Sequence, residues 1–179
     1  WTVVYGAVVA LSQSHLRACI AWTVLSLSAV AFAGIASGTL DGVVGGIVLW
    51  LSKTFSVSGL LLVVALVEAR VGNRPLNAFG GLAHAAPALA GAFLVLSLAC
   101  VSLPGTLGFI AEDTLHKGVV EVSAWLLAAV VLGVGLVAVI LVRVFGLIFL
   151  GPSTRLHDMD VLPRERAPVT LLVLAVVLL

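Results

Sequence analysis

The stretch SLPGTLGFIAEDTLHKG, residues 102–118, decides the fold. A Pro-Gly pair interrupts an apolar run there, and Glu112, Asp113, His116 and Lys117 follow within a few turns. Proline removes a backbone donor and clashes with the preceding turn, so a helix does not pass through it undisturbed. Pro104, Gly105 and Gly108 together predict a non-helical segment over residues 104–108. The new half-helix begins with the positive end of its dipole aimed into the gap. Its first polar groups therefore meet an unusual environment.

That environment is a lipid bilayer. Of the 179 residues, 62% are hydrophobic and only 9% are charged, against roughly a quarter charged in a soluble domain. The mean hydropathy is +1.29. Too few polar residues are present to coat a globule, and the net charge of +1 gives no reason to expect nucleic acid. Cys19 and Cys100 lie in apolar runs far apart and read as small buried hydrophobes. The chain opens within an apolar run and closes within another, so it is expected to be an internal piece of a larger protein.

A spanning helix needs about 20 apolar residues. The uncharged runs predict partial helices over 1–12 and 166–179 and continuous helices over 16–37, 43–69 and 119–150. A discontinuous helix is expected over 85–103 and 106–116. The fold class is thus all-α, a polytopic transmembrane bundle in one domain. With alternating passes, Arg17, Arg70, Arg74, Arg143, Arg155, Arg164 and Arg166 fall on one side, leaving only Lys117 opposite. Basic loops stay in the cytoplasm, which places 12–16, 70–84 and 151–167 there and 38–42 and 116–120 on the far side. Gly38, Gly42, Gly45, Gly46 and Gly59 suit close helix packing.

Two ionisable residues are out of place in such a chain. Lys53 lies about ten residues from either end of its span, where a charge costs about 3 kcal/mol. It reads either as a tie between helices or as a protonatable relay facing a hydrated interior. Glu112 comes eight residues after Pro104, two turns into the second half-helix. Freed backbone at membrane depth is tolerated only where protein buries it or water lines it, and transporters place ion sites at such breaks. Asp113, His116 and Lys117 fit a helix nearing the surface, with Glu112–His116 and Asp113–Lys117 at i,i+4 spacing; His116 and Lys117 are also exit-side candidates. The proton-relay candidates are Glu112, Lys53, His116 and Lys117. No metal-ligand spacing, phosphate loop, nucleophile elbow or dinucleotide fingerprint is present, so no catalytic, cofactor-binding or metal-binding residue is assigned.

Four motifs in order carry a family resemblance. SLPGTLGFIAED resembles the GLPGTxGFxGEF segment of the antiporter-like membrane subunits of respiratory complex I, the NADH–quinone oxidoreductase. The block VEARVGNRPLNAFGGLAHAAPALAGA resembles the cytoplasmic loop that precedes that segment, HLRACIAWTVLSLS resembles DIKRLIAYSSVSHMG, and DMDVLPRERAPVTLL resembles the start of the last helix. The resemblance implies a fragment of a fourteen-helix antiporter-like fold, from the ninth helix in part to the start of the fourteenth, and proton translocation along a mid-membrane polar axis. The family's acid or lysine on the broken helix falls at Glu112, a glutamate as in the M-type subunit. Its central histidine of the eleventh helix falls at Lys53 and its loop lysine at Arg17. The tenth-helix histidine falls at Leu27, which carries no proton. The family's aspartate opening that helix is His15, and Asp113 replaces an aromatic.

What the resemblance implies about partners is a large hetero-oligomeric complex in a bacterial inner membrane, with NADH, flavin, iron-sulfur clusters and quinone in other subunits. The competing readings are a subunit of a multi-subunit sodium/proton antiporter, an ion-coupled subunit of a membrane hydrogenase or inorganic-carbon uptake complex, and a non-conducting spacer.

Overall fold

A computed structural model describes residues 1–72, 74–151 and 163–178, the side chains of 163–166 and 178 excepted. Its elements are α1 (Thr2–Ser12), α2 (Leu16–Ala36), α3 (Leu40–Val71), α4 (Leu82–Ala85), α5 (Pro87–Cys100), α6 (Leu107–Val122), α7 (Ala124–Phe149) and α8 (Pro163–Leu178), with a 3₁₀ turn at Leu76–Ala78. Helices α2, α3 and α7 are each long and apolar enough to cross a membrane. The chain is an integral membrane protein. Arg155 and the rest of the 152–162 block lie outside the described residues.

α3 is the hub, packing against α2, α5, α6 and α8. Its 32 residues extend about 48 Å at 1.5 Å each, well beyond a hydrocarbon core of about 30 Å. Thr39 caps its start, the side-chain oxygen accepting from the Gly42 amide, and Asp41 in the first turn suits the positive dipole end. At the other end Arg17 pairs with the largely buried Glu68 carboxylate. Nearby, Arg143 of α7 donates to the Leu11 carbonyl at 2.5 Å. Arg17 of α2, Arg70 of α3 and Arg143 of α7 thus lie at one end of the bundle. The loop after α3 is held against that end by Leu76 N–H donating to Ser14 O at 2.7 Å and Gly81 N–H to Leu150 O at 3.1 Å.

The interruption expected at 104–108 falls over residues 101–106. Leu103, Pro104, Gly105 and Thr106 form a turn closed by Thr106 N–H to Leu103 O at 3.2 Å. Proline occupies its second position and Gly105, at φ +101, its third, as a type II turn requires. Gly108, expected in the break, lies in the first turn of α6. A Cβ there would stand 3.2 Å from Ser52 Oγ and 3.4 Å from Ser102 Oγ, so this glycine gives α6 room beside α3 and does not break the chain.

The first half-helix begins at Pro87, two residues later than expected, because proline forces the preceding Ala86 out of the helical region (φ −143, ψ 66). The second half runs to Val122, and α7 starts only at Ala124 after one extended residue, Ser123. The expected bounds were 116 for the end of this half and 119 for the start of the next helix. Instead Gly118 is inside α6, and a Cβ on it would run into the Gly42 amide of α3. Two helices whose backbones approach this closely exclude any side chain at the crossing. Gly38, by contrast, takes φ +70 in the α2–α3 turn, and a Cβ added to it would meet nothing within 4 Å.

Two apolar clusters fill the bundle. The larger holds Ile20, Leu60, Val63, Phe93, Leu96 and Phe149, with Phe93, Phe145 and Phe149 packed ring to ring. The smaller holds Leu49, Leu115, Val119 and Val130. On α3 the boundary between them, from Leu49 to Leu60, contains Lys53. Both cysteines are free and buried.

Gly118→Ala is expected to destabilise the α3–α6 crossing by about 1–3 kcal/mol, the usual cost of overpacking, and to lower the thermal midpoint in detergent. Gly91→Ala, where an added Cβ meets nothing within the chain, is the control expected to leave the midpoint unchanged.

Candidate functional site

Lys53 and Glu112 come together at the break, although 59 positions separate them in the sequence. Lys53 is 5% exposed and Glu112 8%. The ammonium is turned to the end of α5. Nζ donates to Cys100 O at 2.6 Å, to Ser102 Oγ at 2.6 Å and to Ala99 O at 3.3 Å. The last carbonyls of a helix have no intrahelical partner, and in hydrocarbon each would be costly. A cation at the negative dipole end satisfies them and gains electrostatically. On the other side the Glu112 Oε2 lies 3.9 Å from Nζ, an ion pair without a direct hydrogen bond.

From Glu112 the sequence of polar groups continues along α6. His116 Nε2 is 3.9 Å from Glu112 Oε1. That ring nitrogen is buried and has no hydrogen-bond partner among the described residues. Lys117 does not join this line: it bonds Asp113 at 2.7 Å, both side chains more than half exposed. The four expected relay residues therefore divide into a row of buried Lys53 and Glu112 continued by the half-buried His116, and an outer cation, Lys117.

A cavity of about 190 Å³ opens beside Lys53 between α2 and α3. Leu27, Ser28, Trp50, Thr54 and Ser58 line part of it. At about 30 Å³ per molecule it has room for several waters, and its hydroxyls give them partners. Leu27 itself is buried, 2% exposed, and contributes no proton-carrying group. Ser102 and the hydroxyls of the cavity were missed in the sequence, where serine and threonine look alike whether they face a helix carbonyl or a cavity. The one signal for Ser102 was its place immediately ahead of Leu-Pro-Gly. Among the described residues no cluster of three His, Cys, Asp or Glu is placed to hold a metal.

The family described as "NADH:quinone oxidoreductase/Mrp antiporter, TM" matches residues 1–138. The chain belongs to that family. It is 36% identical over 133 residues, 74% of its length, to NADH-quinone oxidoreductase subunit 13 of Thermus thermophilus. Over 178 residues, 98% of its length, it is 30% identical to NADH-quinone oxidoreductase subunit M of Rickettsia felis. It spans 28% and 36% of those two relatives. A chain of the respiratory complex I from Thermus thermophilus with bound NADH superposes on 99% of it with a TM-score of 0.91 at 32% identity, 38% of that chain being covered. The antiporter-like membrane fold read from the four motifs is the fold of the family.

Removing one partner of a buried pair leaves the other charge uncompensated, at a cost of about 3–5 kcal/mol. Lys53→Met is therefore expected to lower the thermal midpoint of the purified protein clearly, and Lys53→Met with Glu112→Gln to recover part of the loss. Strict additivity of the two single changes would show that the carboxylate and the ammonium are not coupled.

Proposed function

We propose that this chain is part of a proton-translocating membrane subunit of a complex I-type NADH–quinone oxidoreductase, in which Lys53 and Glu112 pass protons at mid-membrane. The observation that carries the reading is the meeting of these two buried ionisable residues, 3.9 Å apart, at the break of a membrane helix. Intramembrane charges are costly and serve function by default. In the proposed sequence a proton reaches Lys53 through water in the Ser28–Ser58 cavity. Lys53 then gives a proton to the Glu112 carboxylate, leaving a neutral amine and a neutral acid. His116, one turn further along α6, takes the proton from Glu112. Each 3.9 Å link is closed by side-chain rotation or by one bridging water.

Electron transfer takes place elsewhere in this reading. NADH, flavin, iron-sulfur clusters and quinone belong to partner subunits of a large complex in a bacterial inner membrane. The names of the relatives support that assignment. The basic end of the bundle, with Arg17, Arg70 and Arg143, faces the cytoplasm, so the row from Lys53 to His116 leads away from it.

In native membrane vesicles, Glu112→Gln is expected to reduce NADH-driven proton pumping at least tenfold, with electron transfer falling in parallel and the complex still assembled. Unchanged pumping would make Glu112 a structural acid at the start of a helix. Pumping that requires sodium would favour the sodium/proton antiporter reading.

A further inference from the structure

The end of α5 carries a residue that the relay does not yet use. Ser102 has φ +55 and is the one non-glycine residue with positive φ among the described residues. It occupies the first position beyond the α5 C-cap, Val101, where helices that end in a left-handed residue usually place glycine and sometimes asparagine. Both hydrogen bonds of that ending are made: Ser102 N–H donates to Ala99 O and Leu103 N–H to Leu98 O, each at 3.1 Å. Glycine would serve this backbone with less strain, so the serine side chain has to be accounted for. It is buried at 5% exposure, and its Oγ is as close to Lys53 Nζ as is the Cys100 carbonyl, 2.6 Å.

An ammonium has three N–H donors. Ala99 O, Cys100 O and Ser102 Oγ take all three, and Glu112 at 3.9 Å takes none. The three acceptors are not equivalent. A carbonyl only accepts, whereas a hydroxyl both accepts and donates. Once Lys53 has lost a proton, its amine keeps two donors and gains a lone pair. The carbonyls can still receive the two donors, and only the Ser102 hydroxyl can turn and donate to the lone pair.

We propose that Ser102 is a positioning residue for Lys53. Its hydroxyl, fixed by the left-handed backbone at the end of α5, holds Nζ beside Glu112 in both protonation states. The proposal rests on the relay reading of Lys53 and Glu112.

The test compares Ser102→Gly, Ser102→Asn and Lys53→Met in the intact complex, with acidification of native vesicles expressed per assembled complex. Glycine suits the backbone and removes the hydroxyl. Asparagine tolerates the same conformation and supplies both an acceptor and a donor. Loss of a hydrogen bond to a charged group predicts a fall of about tenfold in Ser102→Gly, while Ser102→Asn stays within about twofold of wild type. Wild-type pumping in Ser102→Gly, or Ser102→Asn as low as Ser102→Gly, overturns the proposal. Lys53→Met tells the two levels apart. If it abolishes pumping while Ser102→Gly pumps normally, only the role of Ser102 fails; if it pumps like wild type, the relay reading fails and the role of Ser102 with it.

Discussion

A membrane helix that stops halfway leaves carbonyl groups with no water to meet them, and the binding of those carbonyls by Lys53 is the interaction on which the site depends. Without it, the Cys100 carbonyl at the end of α5 would lose its donor in hydrocarbon, at a cost of several kcal/mol for an unsatisfied group. The same contact settles where the lysine points. Lys53 lies on α3 between residues of the two apolar clusters, and its head is held at the end of α5. Glu112 then offers the nearest opposite charge. The break, the buried cation and the buried acid form one solution to a single electrostatic problem.

Legibility in the sequence followed from contrast. Lys53 and Glu112 stood out because the background around them is apolar, and Pro104-Gly105 because few membrane helices contain that pair without a purpose. The all-α fold and the long spans needed only composition and length. Contacts between distant positions were hidden. Lys53 meets Cys100 and Ser102 across 47 and 49 positions, and no local pattern announces such a meeting. Gly108 was read as part of the break, yet it lies inside α6 at a place where α3 comes close, as does Gly118. Glycine in a membrane helix can mark close approach, and a neighbour that only the fold reveals decides the reading.

In the proposed relay, Leu27 stands where the family resemblance places a histidine. The side chain is buried beside a cavity whose other lining includes Ser28, Thr54 and Ser58. A histidine carries a proton itself, whereas hydroxyls and water pass it between neighbours. In the proposed relay, the polar lining beside Lys53 offers a route without a titratable group at position 27. What such a route requires is volume and hydrogen-bond partners, and the cavity has both.

The shortness of α6 has a consequence for how the protein is made. Its 16 residues measure about 24 Å, less than the thickness of the hydrocarbon layer, and they include Glu112, Asp113, His116, Lys117 and Glu121. On the insertion scale a central acid or lysine alone outweighs several leucines, so this segment cannot partition into lipid by itself. It enters only as the lower part of a composite span with α5, against a surface that already supplies a countercharge and a glycine face. α3 carries both, in Lys53 and Gly42, and it emerges from the ribosome first. The order of helices along the chain is thus also an order of assembly, in which the later and more polar segment waits for the earlier one to receive it.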